Sequence, residues 1–115
     1  MPRPSLARRC FAEALATFAL VFAGCGAIVA NAERDGALGS NGIALTFGLV
    51  IMVMVYATGH LSGAHLNPAV TAAFCASRHF PVREAALYIP AQLIGAVTGA
   101  LLPRIADGGK LRSRR

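Results

Sequence analysis

Apolar positions along the chain gather into three long runs separated by polar stretches. The runs cover residues 10–30, 42–58 and 85–102. Each is close to the roughly 20 residues that an α-helix needs to cross the hydrocarbon core of a bilayer. Because a spanning segment has to satisfy its backbone polar groups within itself, the runs predict three transmembrane helices.

A shorter segment between the second and third runs does not fit this pattern. Residues 59–66 (GHLSGAHL) are too polar to face lipid, and residues 67–76 (NPAVTAAFCA) are apolar but too short to cross. Asn67 is a preferred N-cap residue, and proline, here Pro68, is favoured at the first helical position. The segment therefore predicts a helix from Pro68 to about Ala76, about 13 Å long. Such a helix reaches only to about the bilayer centre.

A helix end at that depth has to face protein or water, because its first N–H groups have no partner within the helix. Residues 59–66 would supply the non-helical backbone that is tolerated only in such a place. Their carbonyl groups then form a ladder of hydrogen-bond acceptors that ends at the two N–H donors of the Asn67 amide. The pattern predicts an all-α membrane protein with three spans and one re-entrant half-helix.

Composition supports this assignment. The chain has 115 residues, of which 56% are hydrophobic and 14% charged, with a mean hydropathy of +0.58. A soluble domain is about a quarter charged, so the composition argues against a soluble enzyme domain and against disorder. The three cysteines form neither a disulfide framework nor a metal-ligand spacing, and we expect no cofactor and no metal.

The net charge of +6 would favour nucleic-acid binding in a soluble protein. Here the basic residues lie at the chain ends and in loops, so the positive-inside rule explains them better, and the expected partner is the lipid bilayer rather than nucleic acid. The basic residues that we assign to the cytoplasmic side are Arg3, Arg8, Arg9, Arg78 and Arg83. They place the amino terminus in the cytoplasm of a multi-pass protein of the cell membrane.

Two points of this topology stay open. The basic tail, residues 104–115, should lie outside after three crossings, so either the third run crosses poorly or the tail is foreign to this architecture. The first run also has an alternative interpretation as a secretory signal. Its length, and the apolar runs that follow, favour a transmembrane helix.

The stretch HLSGAHLNPAVT, residues 60–71, resembles the first Asn-Pro-Ala loop of the major intrinsic protein family, the aquaporins and aquaglyceroporins. The resemblance extends over residues 6–102 and includes Glu13 in the first run and Gln92 with Gly95 in the third. A lone Asn-Pro-Ala tripeptide is a weak signal, but twelve matching residues between two apolar runs are specific. The nodulin-26-like branch and its prokaryotic relatives are the most similar in motif.

The resemblance implies a passive transmembrane channel for water or small neutral solutes, in which no bond is made or broken, and therefore no enzyme. It implies that the Asn67 amide donates hydrogen bonds to the passing solute and that loop carbonyls accept from it. The pore-lining residues that it implies are Asn67, Pro68, Ala69, Gly63, Ala64, His65 and Phe47. Phe47 would belong to the narrow outer filter, although a phenylalanine in a span can equally face lipid or a neighbouring helix.

Glu13 resembles a buried glutamate that braces the re-entrant loop in this family, with His65 as its expected partner. An ionisable group within an apolar run needs such a partner, because a charge in lipid costs several kcal/mol. His60 and His65 are five residues apart with no third ligand nearby, so a hydrogen-bonded role for His65 is favoured over a metal site.

The family fold contains two inverted repeats, whereas residues 1–103 match only the first and carry one Asn-Pro-Ala. The resemblance therefore implies a half that does not conduct alone and needs a complementary second half or a homo-oligomer. One alternative is a truncated or frameshifted fragment without function. Another is a small membrane assembly subunit that uses a contact face formed by Gly95 and Gly99.

Overall fold

The computed structural model describes residues 2–113 and builds them almost entirely from α-helices. The helices are α1 (Leu6–Glu33), α2 (Gly39–Ser62), α3 (Pro68–Ala76), α4 (Val82–Asp107) and α5 (Lys110–Ser113). Three of them, α1, α2 and α4, are long and apolar enough to cross a membrane. The expected all-α arrangement of three spans and one half-helix is confirmed.

The three long helices extend beyond the predicted spans at both ends. The span predicted at 10–30 is Leu6–Glu33, that at 42–58 is Gly39–Ser62, and that at 85–102 is Val82–Asp107. The predictions counted only apolar residues, but a helix continues through polar residues once it has left the hydrocarbon.

Two boundaries change the picture of the segments between and after the spans. The re-entrant loop is shorter than predicted, because α2 includes the first residues of the 59–66 stretch and ends where Gly63 takes the left-handed conformation with φ +87°. Residues 104–107, which we assigned to the basic tail, are the last turn of α4, and this helix continues through the buried Pro103. Arg114 and Arg115 of the predicted tail lie outside the described residues.

The core of the molecule is the contact between α1 and α4, which run in the same direction. Two glycines of α4 allow the close approach. A Cβ on Gly95 would overlap the carbonyl oxygen of Ala14, and a Cβ on Gly99 would lie 2.7 Å from the carbonyl oxygen of Phe18. Both glycines are therefore used inside the chain. The face formed by Gly95 and Gly99 is covered by α1 and is not available to a partner protein. An assembly subunit that binds a partner through this face is therefore wrong.

We expect Gly95→Ala to lower the free energy of unfolding by about 1–3 kcal/mol, because the added methyl group has to displace backbone rather than a flexible side chain. Gly48→Ala is the matched control, since a Cβ at Gly48 meets no described atom within 4 Å. Alanine favours a helix over glycine by about 0.5–1 kcal/mol, so the control should be neutral or slightly stabilising. Unfolding in mixed micelles, followed by circular dichroism, measures both. Equal effects at the two sites would contradict the close helix contact.

One side of the molecule stays open. Helix α2 packs on α1, and only Thr58 and Ser62 of its residues are buried. Helix α3 packs on α4. The re-entrant loop, residues 63–67, therefore lies with Gly63 and Asn67 exposed at the open side of the described structure.

Candidate functional site

A buried carboxylate holds the re-entrant loop. Glu13 of α1 is 0% exposed. Its Oε1 accepts hydrogen bonds from Ser62 Oγ at 2.7 Å and from the His65 backbone N–H at 2.9 Å. Its Oε2 accepts from the Leu66 backbone N–H and from Gln92 Nε2, both at 2.9 Å. These four bonds occupy the acceptor sites of the carboxylate and join α1, α2, α4 and the loop at one point.

The loop backbone has an unusual conformation that these bonds maintain. Ala64 and Leu66 have φ values of +48° and +56°, in the left-handed region that costs a non-glycine residue about 1–2 kcal/mol. The N–H groups along the loop have partners: Gly63 donates to the Gly59 carbonyl, Ala64 to Ser62 Oγ, and the next two residues to Glu13. Because the donors are bound on the protein side, the loop can keep this strained path.

The loop carbonyls are in the opposite situation. Within the described residues, the carbonyl oxygens of Gly63, Ala64 and His65 accept no hydrogen bond. The Ser62 carbonyl, one residue earlier, accepts from Tyr88 Oη at 2.8 Å. The arrangement divides the loop backbone into bonded donors and available acceptors, which is what an acceptor ladder requires.

The half-helix begins as its capping pattern predicts. Asn67 has extended backbone angles (φ −155°, ψ 129°), and its Oδ1 accepts from the Ala69 backbone N–H at 2.8 Å, with Pro68 at the first helical position. Because Oδ1 is held by this bond, the Nδ2 end of the amide is the end that can donate outward. The donor thus follows the carbonyls directly along the chain.

His65, the expected partner of Glu13, contacts it through its backbone N–H. The imidazole instead bonds Thr71, with Nδ1 2.8 Å from Oγ1. Gln92 Nε2 also donates to Thr71 Oγ1, at 2.9 Å. Since this oxygen accepts from Gln92, we expect its own proton to be donated to Nδ1, with the imidazole proton on Nε2. Glu13 bonds the backbone because a loop without secondary structure needs an acceptor for its N–H groups.

Three aromatic rings fix the imidazole in place. The ring centroids of Phe74 and Phe80 lie 4.9 Å from that of His65, and the Tyr88 centroid lies at 5.3 Å. Their planes are tilted or perpendicular to the imidazole, as aromatic pairs prefer. His65 is therefore a packed, hydrogen-bonded side chain that supports the loop from behind.

Phe47 stands apart from this network. Its ring is seated over Gly24 of α1, where a Cβ would overlap the ring. The ring is half-buried between α1 and α2, with its remaining surface exposed. Its role as a filter residue stays a prediction.

Four further residues complete the site that sequence reasoning did not assign to it: Ser62, Thr71, Tyr88 and Gln92. The last three are 0% exposed. Gln92 could have been found, because a lone amide in one apolar run and a lone carboxylate in another, Glu13, each need a polar partner in lipid.

An ion pair lies about one helical turn before Glu13 on α1. Arg9 of α1 contacts both carboxylate oxygens of Glu84 at 2.9 Å, and its guanidinium lies 5.9 Å from the Tyr88 ring centroid. Arg3 reaches the same carboxylate at 3.4 Å. The pair fixes the ends of α1 and α4 side by side and thereby sets the register of Glu13 and Gln92.

Comparison with known proteins identifies this arrangement. The family model described as "Major intrinsic protein" matches residues 1–113, so the match includes residues 104–113 of the basic tail and does not support a tail foreign to this architecture. Aquaporin NIP1-1 of Oryza sativa subsp. japonica and aquaporin NIP1-1 of Zea mays are each 47% identical over 103 residues. Probable aquaporin NIP4-2 of Arabidopsis thaliana is 45% identical over 100 residues.

These alignments cover 87–90% of this chain but only 35–36% of the relatives, so the chain spans about a third of their length. The region that the family model matches contains the re-entrant loop, the half-helix and the glutamate that holds them. With three helices fit to cross a membrane, the chain is a multi-pass membrane protein that belongs to the major intrinsic protein family.

Proposed function

We propose that this chain forms one wall of a passive channel for water or small neutral solutes in the cell membrane, with its amino terminus in the cytoplasm. The solute would pass along the open side of the re-entrant loop. There it would accept hydrogen bonds from the Asn67 amide and donate them to the loop carbonyls. No bond is made or broken, so the protein would lower only the cost of removing the solute from water.

The observation that carries the proposal is the division of the loop backbone. Its N–H groups are bonded inward, to Glu13 and Ser62, while the carbonyls of residues 63–65 have no partner among the described residues. Free carbonyls at bilayer depth are tolerated only beside protein or water. The positive end of α3, at Asn67, lies at the same point and would oppose the entry of cations and protons.

The described residues enclose the path on one side only, since Gly63 and Asn67 are exposed. The other wall has to come from further residues, either of a complementary half or of another copy of this chain. We infer that the 115-residue polypeptide alone does not conduct. A polypeptide that never acquires the second wall would be the non-conducting alternative.

Osmotic swelling of reconstituted vesicles tests the proposal. Vesicles that hold only this polypeptide should swell no faster than empty ones. Vesicles that also hold the remaining two thirds of the rice relative as a separate polypeptide should swell faster. Fast swelling with this chain alone would overturn the inference that it does not conduct and would mean that another copy supplies the second wall. No gain with the complementary half would overturn the channel proposal.

The variant Asn67→Asp is tested in the vesicles that hold both this chain and the complementary polypeptide. It replaces the donor amide with an acceptor of nearly the same shape. We expect water flux to fall about three- to tenfold, the equivalent of one lost hydrogen bond, and a cation leak to appear because a carboxylate attracts cations. Stopped-flow light scattering and a sodium-sensitive dye measure the two effects. Asn41→Asp, in the exposed first turn of α2, is the control and should leave both unchanged.

A further inference from the structure

We propose that the end of the molecule at which α1 and α4 begin binds the headgroups of anionic phospholipids such as phosphatidylglycerol. The binding surface is an arginine cluster built around one ion pair. The cluster consists of Arg3, Arg8, Arg9, Arg83 and Glu84. The proposal concerns a different surface from the solute path and does not depend on conduction.

The ion pair sets the positions of the other members. Because Arg9 and Glu84 are joined at 2.9 Å, the residues that precede them, Arg8 and Arg83, lie at a similar level in the first turns of the two helices. Arg3 lies 3.4 Å from the same carboxylate. Arg3, Arg8 and Arg83 are all exposed, so three guanidinium groups lie at the same end of the molecule as the partly buried pair of Arg9 and Glu84.

The charge of this end is not balanced. The cluster contains four arginines and one carboxylate, so its net charge is +3. The chain has five carboxylates in all. Glu13 is bonded inside the loop network, while Glu33, Asp35 and Asp107 lie at the opposite ends of the two parallel helices. The starts of α1 and α4 add the positive partial charge of two helix dipoles.

The neighbouring apolar side chains place the cluster at the depth of the headgroups. Phe11 is 71% exposed and lies one turn after Arg8 on the same helix face, and Val82, beside Arg83, is 73% exposed. In a spanning helix such exposed apolar residues face acyl chains. Arg8 lies about 4.5 Å closer to the helix start than Phe11, which is the level of phosphate groups. Guanidinium binds phosphate oxygens in a bidentate manner.

Lipid selectivity measured by spin-label electron paramagnetic resonance tests the proposal. The chain is reconstituted in phosphatidylcholine bilayers with spin-labelled phosphatidylglycerol or spin-labelled phosphatidylcholine as the probe. We expect the phosphatidylglycerol label to associate more strongly, and 0.5 M sodium chloride to remove most of the difference. The double variant R8Q/R83Q should lower the association constant of this label by roughly fivefold for each arginine removed.

The control R34Q/R104Q changes the charge by the same amount at the other end of α1 and α4, where both arginines are exposed. The association constant of the phosphatidylglycerol label at the arginine cluster should stay unchanged in this control. Equal losses in the two double variants would mean that only the net charge matters and would overturn the proposal. Displacement of the label by millimolar inorganic phosphate would also overturn it, because the site would then prefer free phosphate. Circular dichroism of each variant checks that the helices are retained. The loss of phosphatidylglycerol selectivity in 0.5 M sodium chloride tests the proposal on the unmodified chain, without any variant.

Discussion

Replacing Glu13 with glutamine should release the re-entrant loop from α1. Whichever way the amide is turned, its NH2 group faces a backbone N–H, either that of His65 or that of Leu66. One pair of donors is then left without an acceptor in a buried site, at a cost of about 1–3 kcal/mol for each group. We expect the free energy of unfolding to fall by about 2–5 kcal/mol in total.

Hydrogen–deuterium exchange distinguishes this local effect from general destabilisation. The amides of His65 and Leu66 should exchange much faster in Glu13→Gln. The amides in the middle of α1 and α4 should exchange faster only by the amount that the loss of global stability explains. Unchanged exchange in the loop would contradict the bracing role of the carboxylate.

Thr17→Val is the matched control, one turn along the same helix. The Thr17 hydroxyl is buried and has no hydrogen-bond partner among the described residues. Removing it should therefore be neutral or slightly stabilising, because no bond is lost and a buried polar group is removed. A loss as large as that of Glu13→Gln would mean that any polar change at this depth is harmful.

Replacing Glu84 with glutamine should leave the Arg9 guanidinium charged and without its carboxylate. The Arg9 side chain is only 6% exposed. Breaking one partner of a buried pair costs about 3–5 kcal/mol. Since 18% of the Glu84 side chain is exposed, we expect about 3 kcal/mol, the lower end of that range. The loss should appear as a lower midpoint in the unfolding titration.

Two further variants show whether the charge of Arg9 causes that loss. Arg3→Gln removes an exposed contact to the same carboxylate and should cost less than about 1 kcal/mol. Adding Arg9→Met to Glu84→Gln should recover stability, because the uncompensated charge is then gone. If the double variant is less stable than Glu84→Gln alone, the packing of the Arg9 side chain, and not its charge, explains the effect.

The half-helix is the clearest case in which local sequence was sufficient. Asn67 as the N-cap and Pro68 in the first turn fix its start by local geometry, and neither depends on the rest of the chain. The three spans follow from apolar length in the same way. Their ends could not be predicted as well, because leaving the hydrocarbon does not stop a helix. Gly63 and the bonds to Glu13 end α2, and the prediction did not include them.

The partner of Glu13 is the opposite case. The need for a partner follows from one acidic residue in an apolar run, but which donors would satisfy it does not. The sequence pointed to His65 without naming the group, and only the structure shows that its backbone N–H makes the bond while its ring bonds Thr71. Gln92 and Ser62 join the same carboxylate from helices that are 79 and 49 residues away in sequence.

The sequence by itself determined the solvent in which the chain folds, the number of spans and the start of the half-helix, because each depends on hydrophobic length or on capping within a few residues. Only the tertiary structure decided how four donors, from α2, α4 and the loop, converge on Glu13, how Gly95 and Gly99 let α1 and α4 approach, and which side of the loop stays open. These depend on distances between segments far apart in the chain, and hydrophobic pattern carries no information on the direction in which a buried hydrogen bond points.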